Sequence, residues 1–434
     1  MKDKKYLIIP ANSDLNRGDQ ALIWETIRVS KESGNNGIYY MIRGEESIKQ
    51  SEEEGIIGIS PILAHPSRVF KNKQNNIYNI SLKLKWGSVA LYDFITSSLY
   101  LNKYTRKLIK KIISKDKKET LEVFQQCESL FVKGGGFLHT YGGIEATYIM
   151  YFFLFHIILA QKLGKKVYIM PNSFGPFKGL FVKKFLKNTL SKCEKVYSRE
   201  EISTRMLKSE LDFNVNTYPD LGFFLEKDIN EKNMKYIDEI NKIKLQGKKC
   251  VAITARPYRF PKSENPKEKY IDYIKSFKKM IIWLNDAGYH PIFVEHTLSV
   301  CSNENDGTSI REIVDMIDNT KYTIISNEKL NCRDLKGIYS VCDYMIGTRF
   351  HSIIFSLSEN VPSMAITYGG NKGEGIMNDI GISKYAIPIE DICFENLKET
   401  FLNLVKNEKN VKKVLIEYIT KANAERNKLI NEIK

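Results

Sequence analysis

The chain has seven cysteines in 434 residues but no Cys-x-x-Cys pair and no regular cysteine spacing. That excludes a disulfide scaffold and a zinc finger or ribbon. Its six histidines, at 65, 139, 156, 290, 296 and 351, show no ligand spacing with carboxylates, so no metal is expected. No uninterrupted apolar run reaches the roughly 20 residues of a spanning helix. The longest stretch, 146–160 (ATYIMYFFLFHIILA), is broken by Thr147 and His156 and is expected to be a buried helix between two strands. The opening MKDKKYLIIP is a charged stub before a short apolar stretch, too short for a secretory signal, so a cytoplasmic setting is expected. There is neither a Walker A loop nor a G-x-G-x-x-G. No nucleic-acid-binding motif accompanies the basic charge, so nucleic acid is not an expected partner.

What is present is the composition of a globular protein, 43% apolar and 27% charged, long enough for two domains. Sixty-six basic against 51 acidic residues give +15. Of that excess, +7 lies in 103–118 (KYTRKLIKKIISKDKK), where Leu108, Ile109, Ile112 and Ile113 share a helical stripe opposite a cationic face. Such a face is either simply solvated or a peripheral contact with the anionic inner surface of a membrane. The preceding 86–101 (WGSVALYDFITSSLYL) is rich in aromatics, which also suits a membrane interface.

Short β-branched runs alternate with longer amphipathic ones, the pattern of parallel strands joined by crossover helices. Strands are expected at 6–10, 38–42, 129–133, 167–171 and 195–198, then at 250–254, 291–295, 322–326, 343–347 and 363–367. The predicted fold is α/β, with two Rossmann-like doubly wound domains facing a cleft. The first, 1–228, carries a helical insertion near 60–120; the second, 229–434, ends in helices. Doubly wound sheets bind ligands outside the carboxyl ends of their strands.

Five loops fall at such ends. The first is 10–21 (PANSDLNRGDQA), rich in turn and capping residues. The second is the triple glycine of 133–139 (KGGGFLH), expected to let a ligand approach the backbone and to expose amides at a following helix start. The third, 171–177 (PNSFGPF), is likewise expected to lead into a helix, and the fourth carries Arg256 just after a strand. In the fifth, 343–352 (DYMIGTRFHS), an apolar strand ends in Gly-Thr, then Arg349 and His351 alternate about Phe350 at a helix head. A guanidinium suits bidentate binding of carboxylate or phosphate, and a neighbouring imidazole can exchange protons near neutral pH. Downstream, Lys372 adds a cation within the glycine-rich 368–375 (YGGNKGEG).

In order and spacing these residues resemble the polysaccharide pyruvyl transferase family. The resemblance runs through Asn16, Gly18 and Asp19, the glycines 134–136, Ser198-Arg-Glu, Pro219-Asp220 and the G-T-R-F-H of 347–351. It continues to Lys372, then Gly375-Ile-Met and Asp379-Ile-Gly. It implies a GT-B-like fold and transfer of the enolpyruvyl unit of phosphoenolpyruvate to a sugar of a cell-surface polysaccharide or its precursor. The product it implies is a pyruvate ketal, with release of phosphate. Phosphoenolpyruvate would be co-substrate, with no cofactor, and the acceptor a glycan or lipid-linked saccharide. Arg256, Arg349 and Lys372 match the donor-binding positions, with helix-start amides near Ser352 adding partial positive charge, and His351 matches the acid–base residue. Acceptor contacts are expected toward the first half, at Asn16, Asp19, Gly135, Gly136, His139, Glu145 and Asn172, with Glu295 and His296 bordering the cleft. Two other readings are a glycosyltransferase using a nucleotide-sugar donor on the same architecture, and a non-catalytic scaffold in polysaccharide assembly.

Overall fold

A computed structural model describes residues 3–44, 46–66, 80–299, 304–369 and 372–434, with the side chains of 11, 80–83 and 372 outside the description. The chain forms two compact units. The first is Met1–Asp14, Leu22–Asp220 and Lys428–Lys434; the second is Leu15–Ala21 and Leu221–Asn427. The division thus falls at Asp220/Leu221 rather than after 228. A short loop near the N-terminus belongs with the second unit and the last residues with the first.

The first unit contains β1 (Lys5–Asn12), β2 (Ile38–Arg43), β3 (Ile57–Ile59), β4 (Ser129–Val132), β5 (Gly135–Tyr141), β6 (Lys166–Lys178), β7 (Lys195–Ser198) and β8 (Asn216–Thr217). They form one parallel sheet in the order β3-β2-β1-β4-β6-β7-β8, with β5 also on β6. β4 is buried along its whole length, as a parallel strand covered on both faces must be. The 146–160 stretch is the expected buried helix, Ala146–Lys162, with Met150, Leu154, Phe155, Ile157 and Leu159 in the core. His156 is buried there too, stacked 5.8 Å from Phe124.

Two expectations about this unit are corrected. The glycine triplet does not open a helix; it leads into β5. Gly135 takes φ +149°, which turns the chain out of β4, and the following Phe-Leu-His-Thr-Tyr favours extended backbone. The segment 171–177 does not start a helix either. It continues β6, pairing Asn172 with Gly135 and Phe174 with Leu138. Within the 60–120 insertion, helices Ile80–Leu101, Lys103–Ile109 and Lys115–Gln126 are described, while residues 67–79 lie outside the described residues.

The second unit contains β9 (Lys249–Thr254), β10 (Tyr289–Val294), β11 (Thr323–Ile325), β12 (Tyr344–Gly347), β13 (Ser363–Thr367) and β14 (Ala386–Pro388), all parallel, in the order β11-β10-β9-β12-β13-β14. Starting from β9, this is the 3-2-1-4-5-6 order of a doubly wound sheet, and the winding reverses between β9 and β12. In sheets of this kind ligands bind outside the carboxyl ends of the two strands at which the winding reverses. The C-terminal helices Phe394–Lys406 and Glu408–Ile433 bury Leu397, Phe401, Leu404, Val411 and Leu415.

Candidate active site

β9 and β12 run in step, with Thr254 opposite Gly347, so their following loops leave the sheet side by side. Three hydroxyls lock those loops together. Thr348 Oγ1 donates to the Thr254 carbonyl (2.9 Å) and accepts from the Arg256 amide (2.8 Å). Ser352 Oγ lies 2.6 Å from the Arg349 carbonyl, to which it donates, and 3.0 Å from Thr254 Oγ1. Ser352 is fully buried; its hydroxyl is consumed in this clasp, and its amide, the group expected to face the donor, donates to the Arg349 carbonyl (2.9 Å). Tyr273 secures the other loop by donating to the Arg256 carbonyl (2.9 Å).

The clasp aims two arginines at one carboxylate. Arg349 Nε donates to Asp306 Oδ1 (2.8 Å), Nη2 to the Glu304 carbonyl (2.6 Å), and Nη1 reaches Glu304 Oε2 (3.4 Å). Arg256 Nη2 lies 3.2 Å from the same Glu304 oxygen, and its guanidinium sits 4.1 Å above the Tyr368 ring. Asp306 is fully buried; its other oxygen accepts from the amides of His296 (3.1 Å) and Thr297 (2.9 Å). Burial works against the charge on Arg349, yet Asp306, Tyr368 and Glu304 outweigh it and raise its pKa. Burial pushes the Asp306 carboxyl up, and Arg349 and the two amides pull it back. Glu304 differs from Asp306 in being half exposed at its side chain (53%), held from both sides by guanidinium groups. That bracket is the arrangement a ligand carboxylate or phosphate oxygen would take.

His351 stands in the first turn of helix Phe350–Ser358, whose N-cap is Arg349. It packs against the loop Leu15–Ala21: a β-carbon at Gly18 would collide with its ring. Arg17 fixes that loop through Nη2 to the Asn327 carbonyl (2.9 Å), Cys332 N donates to Gln20 Oε1 (2.9 Å), and Asn16 bridges antiparallel to Thr297. Asn16 and Asp19 are therefore not on the first unit, where the acceptor was expected. They belong to the second, close to His351, and their side chains serve the helix start. Asn16 Oδ1 accepts from the amides of Gly18 and Asp19, and its Nδ2 donates to Asp19 Oδ2 (2.9 Å). Glu295 is in the second unit as well. Its carboxylate lies against Gly307 at the start of helix Asp306–Val314, where a negative charge is favoured.

Sequence reasoning placed His296 with Glu295 at the strand end, bordering the cleft. It is buried, with Nδ1 3.1 Å from the Tyr339 hydroxyl. Burial, reinforced by His351, Arg349 and Arg17, holds its pKa well below the usual imidazole value and keeps it neutral. Glu304 and Asp306 carried no sequence signal, being more than 40 residues from Arg349 in the chain. Helix Lys372–Ile380 begins at Lys372, whose side chain lies outside the described residues.

In the first unit, the end of β4, the start of β5 and the middle of β6 form a second polar patch. Fully buried Asn172 donates from Nδ2 to the carbonyls of Lys133 (2.8 Å) and Met170 (3.2 Å). Two acceptors on Nδ2 fix the amide's orientation and leave Oδ1 over Gly135. A β-carbon at Gly135 would lie 3.8 Å from both Asn172 Oδ1 and the ammonium of Lys133, itself only 4% exposed. Gly135 and Asn172 thus come together and Lys133 joins them; Gly136 follows, half-buried. His139 does not join: at about 3.3 Å per residue it is some 13 Å further along β5, packed edge-on to Tyr141. Glu145 is exposed ahead of helix Ala146–Lys162, folded over Gly143. The Ser198-Arg-Glu and Pro219-Asp220 motifs make a buried clasp. Arg199 bonds Asp220 (2.5 Å) and Ser173 (2.8 Å), and Glu200 accepts from Ser173 and Ser203.

A family model described as polysaccharide pyruvyl transferase matches residues 63–370, well over half of the chain and including Arg256, Arg349 and His351. The chain belongs to the polysaccharide pyruvyl transferase family. The amylovoran biosynthesis protein AmsJ of Erwinia amylovora is 24% identical over 269 residues, 60% of this chain and 61% of that protein. The chain therefore spans about three-fifths of the length of this curated relative. Among solved structures, the UDP-GlcNAc 2-epimerase of Neisseria meningitidis superposes with a TM-score of 0.52 at 13% identity, covering 96% of this chain and 100% of that one. Phytolacca americana UGT2, complexed with UDP-2-fluoro-glucose and pterostilbene, gives 0.53 at 11%, covering 99% and 98%. These likenesses establish the fold, two parallel-sheet α/β domains of GT-B-like type, as the resemblance implied.

Proposed function

We propose that this protein is a transferase that moves the enolpyruvyl unit of phosphoenolpyruvate onto a sugar of a polysaccharide or its precursor, forming a pyruvate ketal and releasing phosphate. The observation that carries the reading is the pair of guanidiniums bracketing one carboxylate, with an imidazole two residues beyond Arg349, in the first turn of the helix at the sheet's switch point. Phosphoenolpyruvate carries about three negative charges near neutral pH, and clustered cations in a partly dry site bind such a donor strongly. Its carboxylate or phosphate takes the place of Glu304 between Arg256 and Arg349, and Lys372 supplies a third cation. Asp306 holds the Arg349 fork in its orientation.

Protonated His351 gives its proton to the methylene carbon, which becomes a methyl group as C2 gains cationic character. A sugar hydroxyl adds at C2 and its proton returns to the imidazole. The C2–O bond to phosphate then breaks, a second hydroxyl closes the ketal, and its proton leaves with phosphate. In the first unit, Lys133 and Asn172 are proposed to hold an acceptor hydroxyl: the ammonium donates to its oxygen and the amide oxygen accepts its proton. AmsJ, a protein of amylovoran biosynthesis, supports a glycan acceptor. A cytoplasmic site of action remains part of this proposal; among the described residues no helix is long and apolar enough to cross a membrane.

The reading is tested by offering the whole protein phosphoenolpyruvate with a panel of glycan acceptors and weighing the products. The expected product gains one pyruvate less one water, with matching phosphate. Nucleotide release from a nucleotide sugar, with no ketal formed from phosphoenolpyruvate, would transfer the assignment to the glycosyltransferase reading.

A further inference from the structure

We propose that helix Ile80–Leu101 and the basic segment after it form a docking surface for an anionic lipid bilayer. The proposal rests on no part of the transfer chemistry.

The helix is amphipathic in the reverse of the usual sense. At 100° per residue, Leu84, Leu91, Tyr92, Phe94 and Ile95 share one side, and all are more than half exposed, Leu84 at 70%. The opposite side carries the polar anchors. Asp93 is 1% exposed and accepts from the amides of Ala64 and His65 and from the Tyr148 hydroxyl, each at 2.8 Å. Fully buried Ser97 bonds the Tyr151 hydroxyl. Rolling the helix to hide its apolar side would break these buried contacts and strand a carboxylate, so the orientation is fixed. A cluster of exposed large apolar side chains of this kind marks an interaction site.

The charge beside it selects the occupant. After Asn102 caps the next helix, Lys103–Ile109, the chain presents Tyr104, Leu108 and Ile112 at i, i+4 and i+8, exposed at 80%, 65% and 81%. Lys103, Lys107, Lys111, Lys115 and Lys118 are exposed around them. Apolar and aromatic side chains interleaved with lysines match the headgroup boundary of an anionic bilayer, where rings settle at the interface and each ammonium meets lipid phosphate. A second copy of the chain fits less well. A twofold contact applies the same patch to itself and sets lysines against lysines.

The test is co-sedimentation of the full chain with vesicles of phosphatidylcholine alone and of phosphatidylcholine mixed with phosphatidylglycerol. Binding is expected to the mixed vesicles only, weakening as salt rises. The triple variant Leu84→Asn, Leu91→Asn, Ile95→Asn should lower partitioning by at least about tenfold, with thermal unfolding little changed because these side chains are more than half exposed. The double variant Lys107→Glu, Lys111→Glu should weaken binding and flatten its salt dependence. Failure of the wild-type chain to pellet with mixed vesicles overturns the proposal, as does equal binding by the triple variant. A dimer in sedimentation velocity that the triple variant dissolves would also overturn it, assigning the patch to self-association.

Discussion

Replacing Gly18 by alanine probes the seat of His351 without touching a charged group. The added β-carbon would fall inside contact distance of Cβ, Cγ and Nδ1 of the imidazole, so the ring must turn or the start of helix Arg17–Glu32 must move. Overpacking of this kind costs about 1–3 kcal/mol, partly offset by the gain of up to ~1 kcal/mol from alanine over glycine in a helix. The net loss, up to about 2 kcal/mol, corresponds to at most roughly 8 °C in a unit of this size. The effect on the reaction should be larger, because displacing an acid–base group by about 1 Å costs on the order of 10²-fold in rate. Arg256 and Arg349 stay in place, so the expected signature is a lowered kcat with KM for phosphoenolpyruvate nearly unchanged. Thermal unfolding and phosphate release against donor concentration measure both parts. A variant with wild-type kcat would show that His351 is not held by this loop, or does not act in transfer.

Glu304→Gln removes the carboxylate that competes with the donor for the two guanidiniums. Exposed ion pairs of this type contribute about 0.2–1 kcal/mol, so calorimetric titration should show phosphoenolpyruvate binding up to about fivefold tighter; weaker binding would make Glu304 a donor contact instead. Arg349→Lys keeps the charge but loses the fork that spans Asp306 and Glu304, and donor affinity should fall by about tenfold or more; unchanged affinity would remove Arg349 from the donor site. The neutral state of His296 makes stability depend on pH. Its folded pKa is depressed, so its contribution is intact above the unfolded value near 6.5 and is lost as pH falls below it, by up to about 1.4 kcal/mol per pH unit. His296→Gln should therefore narrow the melting-temperature gap to wild type between pH 7 and 5, and parallel curves would refute the assignment.

Much of the architecture was legible in the sequence because parallel strands leave a strong local trace. The runs expected to be strands all lie on β1, β2, β4, β6, β7 and β9–β13, each a short apolar segment bounded by turn residues. β5 was missed because three glycines mask a strand whose extended form depends on pairing with the far end of β6. The arginines and His351 were legible as a group, since all three follow strand ends. Their partners were not: Glu304 and Asp306 reach Arg349 only through the fold, and Gly18 meets His351 across more than 300 residues of sequence. Asn16 and Asp19 were read onto the first half because β1 precedes them. Contacts to Thr297 and Asn327 decide otherwise.

The central claim, proton delivery to the donor's methylene carbon followed by ketal closure, is tested most directly by running the reaction in heavy water and examining the product's methyl group by NMR. The account predicts a new ketal bearing a single solvent-derived deuteron. A ketal whose methyl carries no deuterium, or acceptor modification that leaves phosphoenolpyruvate intact, would contradict it.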